Sequence, residues 1–394
     1  MRRIVFAVLI AATVIGFSVA IAAQGDSSGT GDRDPAVRAA GNPSSSTTSS
    51  STTTTTTLPP PSSDAPLELL RTVGSNISPK SVVASGRGLV FAQNMMYKHS
   101  ITVYDHDGEL VKTIPDSVDL SQYGITDHPG ISQGAPVEVA FSPDGTKAYV
   151  SNYSMYGANW GPEGSDDCHP SDGYDNSYVY RVDVKSLEID NVIGVGSVPK
   201  YVATTPDGKY VIVSNWCTFD ASVIDVATQK EVKRIGLGPY PRGIVVSPDS
   251  KTAYIAVMGG TSIARVNLAD FSTSWIYGVG QGPRHLVLSP DGATLYATLN
   301  GEGKVAKIDA ASGAVQAKVS TGQAPRSMDI SADGKYLYVV NYESGTMSKV
   351  DTATMQTVQS LPTGYHPIGI TYDRRTGNVW VANYTGSIMI FTPS

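Results

Sequence analysis

The strongest constraint in this sequence is a repeat of 42 residues. A proline recurs at that interval, and a glycine stands three residues before each proline. Eight residues after each of the first four prolines lies the aspartate of a Pro-Asp-Gly turn or a close variant. A register kept over five units predicts one small structural unit repeated along the chain. The prolines are Pro199, Pro241, Pro283, Pro325 and Pro367.

Each unit has room for four short strands. An apolar run such as Tyr210–Asn215 follows the turn, and a third run ends at an aspartate such as Asp225. Four antiparallel strands in about 42 residues form one blade of a β-propeller. Two further units begin at Pro79 and Pro136. The sequence therefore predicts an all-β, seven-bladed β-propeller of four-stranded blades over residues 67–394.

The two ends of this region predict how the ring closes. The last unit ends at Ser394, after its third strand, and lacks a fourth. Residues Glu68–Thr72 precede the first unit and match the fourth-strand segments Glu231–Ile235 and Ala314–Lys318. We therefore expect the N-terminal strand to complete the last blade, which removes exposed sheet edges.

The residues before the repeat predict export. Arg2 and Arg3 precede an uncharged, mostly apolar run from Ile4 to Ala23 that ends in small residues, as in a secretory signal peptide. The run is also about long enough to span a bilayer, so residues 1–23 are either a signal peptide or an N-terminal membrane anchor. Either alternative places the domain outside the cytoplasm, secreted or at the cell surface.

Residues 24–66 are predicted to be a disordered linker. They include fourteen consecutive Ser and Thr residues from Ser44 to Thr57, followed by Pro59–Pro61. Such a segment has little apolar surface to bury and is typical of a stalk. The formal net charge of −6 argues against nucleic acid as a partner, and membrane contact is expected only through a retained anchor.

The second strands carry a recognisable motif. Tyr149–Tyr153, Tyr338–Tyr342 and Trp380–Tyr384 each follow a turn of the repeat and read Tyr/Trp-Val-x-Asn-Tyr. This resembles the YVTN-type repeat, a WD40/YVTN-like family of β-propellers found among surface-layer and exported proteins. Val257 and Leu299 depart from the motif. The resemblance implies a binding or scaffold role and names no ligand.

Candidate binding residues converge on one face of the predicted propeller. Loops before the first strand and after the second share that face, and both long insertions, residues 116–134 and 154–176, fall there. Planar guanidinium groups suit carboxylate or phosphate, and aromatic rings stack on sugars. The alternative is structural, with each cation bonding backbone carbonyls or an aspartate of the neighbouring blade and each asparagine capping its own turn. The candidates are Lys80, Lys200, Arg242, Arg284, Arg326, Asn152, Asn215, Trp216, Asn341 and Asn383.

The two cysteines are predicted to form a disulfide. Cys168 lies in the second insertion and Cys217 in the equivalent loop of the next unit. Adjacent blades place these loops side by side, and an oxidising compartment favours the bond.

No pattern in the sequence predicts catalysis or a cofactor. The acidic residues of the second insertion do not match an EF-hand, so an acidic solvated loop is favoured over a calcium site. His285 and His366 share no spacing with carboxylates that would indicate a metal or haem centre. We therefore expect a non-catalytic module for a glycan, peptide or partner protein. The alternative is a lactonase-like or lyase-like enzyme with its site in the channel mouth.

Overall fold

The structure is a computed structural model that describes residues 62–394. The predicted signal peptide or anchor and residues 24–61 of the predicted linker lie outside the described residues. Within residues 62–394 there are 29 β-strands and two short 3-10 helices, Leu120–Tyr123 and Pro170–Asp172. No helix in this range is long and apolar enough to cross a membrane.

The strands form seven antiparallel sheets arranged as successive blades. Blade 1 contains β2 (Ser81–Ala84), β3 (Leu89–Asn94), β4 (Ser100–Asp105) and β5 (Leu110–Pro115). Blade 2 contains β6 (Ser117–Asp119), β7 (Ile131–Phe141), β8 (Lys147–Tyr156), β9 (Tyr178–Asp183) and β10 (Glu188–Gly194). Blade 3 contains β11 (Pro199–Thr204), β12 (Tyr210–Asn215), β13 (Asp220–Asp225) and β14 (Lys230–Gly236).

The remaining four blades follow the same pattern. Blade 4 contains β15 (Pro241–Val246), β16 (Thr252–Val257), β17 (Ser262–Asn267) and β18 (Thr273–Ile276). Blade 5 contains β19 (Pro283–Leu288), β20 (Thr294–Leu299), β21 (Lys304–Asp309) and β22 (Val315–Ser320). Blade 6 contains β23 (Pro325–Ile330), β24 (Tyr336–Asn341), β25 (Thr346–Asp351) and β26 (Gln356–Pro362). Blade 7 contains β27 (Pro367–Tyr372), β28 (Val379–Asn383), β29 (Ser387–Pro393) and β1 (Leu67–Val73).

The repeated turn between the first and second strands is held by its aspartate. In blade 5, Asp291 accepts hydrogen bonds from the Ser289 hydroxyl at 2.5 Å and from the Ala293 amide at 3.0 Å. Gly292 follows with φ of 72°, in the left-handed region that glycine adopts without steric cost. These two requirements explain why the repeat keeps the Asp-Gly pair.

The core lies between neighbouring blades. Ile212 and Val223 of blade 3 pack against Ile244 and Ile255 of blade 4, and all four are at most 2% exposed. Such interfaces exist because the second and third strands are apolar on both faces. Each blade is therefore stabilised by its two neighbours rather than by a core of its own.

The first and last strands of the domain close the ring. β1 pairs antiparallel with β29, from Leu67 opposite Pro393 to Val73 opposite Ile388. Blade 7 then packs on blade 6 through Leu67 and Phe391, and on blade 1 through Trp380. The predicted seven-bladed fold and its closure are confirmed.

Blade 2 departs from four strands because of the first insertion. The end of that insertion lengthens β7, and β6 pairs with this extension as a fifth strand, with Ser117 opposite Gln133. Both insertions extend the same end of blade 2.

Residues Ser62–Pro66, predicted as part of the linker, lie against blade 6. The Lys349 ammonium donates to the carbonyls of Ser63 and Ala65 at 2.6 and 2.7 Å. The Ser63 hydroxyl donates to Asp333, which lies in the turn between the first two strands of that blade. Composition did not reveal this segment because its few polar side chains and carbonyls find partners far away in the sequence, as in the Asp64–Lys335 ion pair at 2.9 Å.

Deleting residues 67–73 is expected to abolish soluble folded protein. The deletion removes the fourth strand of blade 7 and leaves β29 as an open edge beside two buried interfaces. Thermal unfolding followed by circular dichroism measures the effect. Deletion of residues 24–57 is the control and should leave the melting temperature unchanged. Equal melting temperatures of the two deletion variants would contradict closure of the ring by β1.

Candidate functional site

The five candidate cations lie together at the channel mouth. We define the mouth cluster as the cations that follow the repeat prolines of blades 1, 3, 4, 5 and 6: Lys80, Lys200, Arg242, Arg284 and Arg326. Lys80 and Arg242 are each 9% exposed, Arg284 is 3% exposed and Lys200 is 2% exposed. The two remaining blades place Val137 and Ile368 at this position. The structure thus gathers a group of buried like charges.

Burial and mutual repulsion lower the pKa values of these groups. Burial, then the charges of Arg242, Lys200 and Arg284, hold the pKa of Lys80 well below its usual range. Burial and Arg326 lower the pKa of Arg242 to about 10. Arg242 and Arg284 lower the pKa values of Lys80 and Lys200, and Arg326 lowers those of Arg242 and Arg284, so these charged ends lie near one another. Such an arrangement is unfavourable without anions nearby.

Aromatic rings that end the second strands cover several of these cations. The Arg326 guanidinium lies 4.0 Å from the centre of the Tyr342 ring. The Lys200 ammonium lies 4.1 Å from the ring centre of Tyr153, and Lys80 lies 5.3 Å from that of Tyr384. Cation–π contacts compensate part of the desolvation. Within residues 62–394 no carboxylate lies within 4.0 Å of the Arg242, Arg284 or Arg326 guanidinium, although Arg284 donates to the Arg326 carbonyl oxygen at 2.8 Å.

One carboxylate enters the mouth from the second insertion. Asp166 forms an ion pair with Lys200 and accepts a hydrogen bond from the Tyr153 hydroxyl at 3.2 Å. Partial desolvation raises the pKa of Asp166, but the charge and hydrogen bond of Lys200 outweigh it and hold this pKa well below its usual range. The Asp166 side chain is 75% exposed, so it projects into the open mouth.

The disulfide fixes the loop that carries Asp166. Cys168 and Cys217 are bonded, with their Cα atoms 5.5 Å apart, which confirms the predicted pairing. The Trp216 indole N–H donates to the Asp166 carbonyl at 2.9 Å, and its ring stacks on Tyr240 at 4.6 Å. Trp216 is only 8% exposed. It therefore holds the insertion in place, and its ring is not free to stack on a ligand. The disulfide also indicates a non-reducing environment.

The candidate asparagines lie inside their blades rather than in the mouth. Asn152, Asn215, Asn341 and Asn383 have no exposed surface. The amide of Asn341, for example, donates to the Ser348 hydroxyl at 3.0 Å. A Cβ on the repeat glycine Gly322 would lie 2.7 Å from the Asn341 side chain. The asparagine and the glycine of the repeat are thus packing partners inside the blade.

The acidic residues of the second insertion have separate roles. Asp175 accepts a hydrogen bond from the Gly161 amide at 2.6 Å, and Asp172 accepts one from the His169 amide at 2.8 Å. Asp166 pairs with Lys200. In residues 62–394 no group of three or more His, Cys, Asp or Glu side chains is placed to hold a metal ion.

Exposed aromatic rings also mark the mouth face. Among residues 62–394 the exposed aromatic side chains are Tyr97, Tyr277 and Tyr365, which are 85%, 74% and 66% exposed. Tyr97 follows a second strand, and the other two precede first strands, so all three lie in mouth loops. Tyr365 stacks on His366, which stacks on Tyr342 beside Arg326. The opposite face, formed by the aspartate turns, has no exposed aromatic ring within the described range.

A second polar group lies deeper in the channel. A cavity of about 190 Å³ is lined by first strands of all seven blades, and Glu138, Tyr201 and His285 face it. His285 accepts the Met328 amide hydrogen on Nδ1 at 2.8 Å, so its Nε2–H donates to the Tyr201 oxygen, also at 2.8 Å. Burial raises the pKa of Glu138 to about 7.

This channel group was not predicted, although the sequence contains a signal for it. Glu138, Tyr201 and His285 all stand two residues after a repeat proline, and Gly243 and Gly369 occupy that position in blades 4 and 7. A Cβ at Gly243 would lie 2.6 Å from the Arg284 carbonyl oxygen. The residue two positions after the repeat proline thus differs among blades, and it is glycine where the backbone of the next blade comes close. This variation indicated that the position lines the channel.

Another buried carboxyl group lies beneath the first insertion. Asp116 has no exposed surface, and neither of its oxygens has a hydrogen-bond partner within residues 62–394. A Cβ on Gly134 would lie 2.6 Å from Asp116 Oδ2 and 2.4 Å from Asn152 Oδ1, which also has no partner there. Burial raises the pKa of Asp116 to about 8. Asp116 and Asn152 therefore both bring an unpaired oxygen close to Gly134.

The chain was compared with protein families, curated proteins and solved structures. A family model described as YNCE-like beta-propeller matches residues 190–346. No curated protein matches. Among solved structures, Kuenenia stuttgartiensis hydrazine synthase matches with a TM-score of 0.64 and 20% identity, over 81% of this chain and 96% of that chain.

The chain is a β-propeller protein. The family model and the structural match agree with the seven observed sheets. At 20% identity the match to hydrazine synthase shows the fold alone. The YVTN-type assignment remains a resemblance.

Replacing Asp116 with asparagine is expected to flatten the pH dependence of propeller stability. In the folded protein this carboxyl ionises near pH 8, against a usual value of 3.8, so the unfolded chain binds fewer protons between these values. The free energy of unfolding therefore falls as pH rises through that window. Thermal melts from pH 4 to 8 measure the slope.

Asp116→Asn should also be more stable at pH 8, by about 1–3 kcal/mol, because the amide supplies the missing donor. Asp127→Asn, an exposed change in the same insertion, is the matched control. If the stability of Asp116→Asn falls with pH as steeply as that of the wild type, the Asp116 carboxyl is not the group responsible.

Proposed function

We propose that this protein is an exported binding module whose mouth cluster recognises the acidic groups of a glycan. The observation that carries the proposal is an imbalance of charge. Five cations converge on the mouth, and among residues 62–394 only Lys200 of the five has a carboxylate within 4.0 Å. Lys80, Arg242 and Arg284 are buried and Arg326 is partly buried, and a ligand carboxylate, sulfate or phosphate would stabilise their charged forms.

The surroundings of the cluster favour a sugar as the carrier of those charges. Tyr365 and Tyr97 are exposed on the rim, and Tyr365 belongs to the stack that ends above Arg326. Flat aromatic surfaces beside cations suit the apolar face and the acidic group of a uronic acid. An acidic peptide offers similar carboxylates but has no rigid ring to stack, so it serves as a competitor in the test.

The first described residues lie on the face opposite the mouth, because Ser63 contacts Asp333 in a turn on that face. This segment therefore does not occupy the mouth. The buried disulfide supports an extracellular location.

Replacing Arg326 with glutamine is expected to weaken binding of a uronic-acid oligosaccharide. Charge-assisted hydrogen bonds contribute about 1.5–3 kcal/mol, so the loss should be at least about tenfold in Kd. Arg326 is only partly buried and its removal leaves the blade core intact. Isothermal titration with trigalacturonate, at low and moderate salt, measures the change.

Lys251→Gln is the matched control, because Lys251 lies in a turn on the opposite face and its side chain is 79% exposed. If both variants bind trigalacturonate with equal affinity, the mouth cluster is not part of the binding site. Tighter binding of an oligoglutamate peptide or single-stranded DNA than of the oligosaccharide would contradict the glycan as ligand.

The channel group supports a second candidate, an enzyme of the lactonase or lyase type. Glu138 has the pKa of a general base near neutral pH, and Tyr201 retains a proton to donate because His285 donates to its oxygen. Arg242 lies near enough to stabilise the charge of Glu138.

If this candidate is correct, turnover of a lactone or uronate substrate should rise with pH around a midpoint near 7, where Glu138 ionises. Glu138→Gln should abolish that turnover while trigalacturonate binding persists. Turnover unchanged in Glu138→Gln, or none with either substrate class, would reject the enzyme.

A further inference from the structure

We propose that Asp166, held by its loop, occupies the position that a ligand's acidic group would take. The mouth therefore rejects ligands with a single acidic group and selects chains that carry several acidic groups. This inference rests on the proposed function, since it concerns how the same mouth cluster chooses its ligand. Asp166 comes from a loop that breaks the repeat, yet its carboxylate ends among cations that the repeat supplies.

The position of Asp166 is that of a bound carboxylate. Its side chain contacts Lys200 and the Tyr153 hydroxyl, as a ligand's acidic group would. Its charge also acts on Lys80, Arg242, Arg284 and Arg326, which belong to four other blades. One carboxylate therefore influences all five members of the mouth cluster while bonding only one of them.

The surrounding bonds keep Asp166 there. Trp216 binds its carbonyl, and the cystine formed by Cys168 begins two residues later. Because the loop is covalently joined to blade 3, Asp166 acts at a high effective concentration that a free anion must exceed. A ligand with a single carboxylate has no further contact that would help it to displace Asp166. A chain of uronic acids has such contacts, because its next acidic group can reach Arg326 or Arg242 while its rings lie on the tyrosines.

The inference predicts a gain of binding on removal of a charge. Asp166→Asn should bind galacturonate monomer at least about tenfold more tightly than the wild type, because a competing and repelling carboxylate is lost. Trigalacturonate should gain less, so the preference for the trimer over the monomer should shrink. Both dissociation constants are measured by isothermal titration on the oxidised protein.

Asp167→Asn is the matched control. It removes the same charge from the next residue, whose exposed side chain lies in the same loop. A gain in monomer affinity confined to Asp166→Asn supports the inference. An equal gain in both variants is a general effect of charge and overturns the inference. Weaker monomer binding by Asp166→Asn, or an unchanged preference for the trimer, also overturns it.

A second variant separates tethering from folding. Cys168→Ser with Cys217→Ser keeps Asp166 but frees the loop, so monomer affinity should rise toward that of Asp166→Asn at a temperature where circular dichroism shows folded protein. Wild-type affinity in this variant would contradict the role of the tether. Absence of trigalacturonate binding in the wild type and in every variant would instead reject the proposed function itself.

Discussion

Pairing of β1 with β29 is the constraint on which the rest of this structure depends. Each blade buries its apolar faces against two neighbours, so the array is complete only when blade 7 contacts both blade 6 and blade 1. The register from Leu67 to Val73 supplies the missing strand. Closure also determines the mouth, because seven first strands converge on one axis only in a closed ring. Without it the cations of blade 1 and blade 6 would not share a space.

Closure then imposes an electrostatic problem that the insertions of blade 2 partly solve. A repeat that places a cation after the proline in five of the seven blades brings like charges together once the blades meet. The compensating negative charge cannot come from the repeat itself, because a carboxylate in every blade would fill the mouth. The chain instead uses one element outside the repeat, and Asp166 reaches the cluster from there. Under the proposed function, the remaining positive charge attracts an acidic ligand.

Much of this arrangement could be predicted from the sequence, because it repeats. The interval between prolines revealed the blades, and the incomplete last unit revealed the closing strand. The pairing of Cys168 with Cys217 followed from the equivalence of two loops in adjacent blades. Burial was harder to foresee. Asn341 and Trp216 carry polar atoms that suit a ligand, yet a glycine packs against one and an insertion covers the other. Such contacts depend on distances between loops that no spacing encodes.

The positions that sequence analysis missed share one physical cause, which bears on where function lies. Glu138, Tyr201 and His285 occupy a register position at which other blades have serine or glycine. A residue common to every blade serves the blade, as the turn aspartates do. A residue that differs among blades at a channel-lining position is free from that requirement. Asp166, the channel group and the exposed tyrosines all depart from the repeat. Under the proposed function, the features that break the symmetry of this ring carry its specificity, while the repeated cations supply the attraction that any acidic ligand would feel.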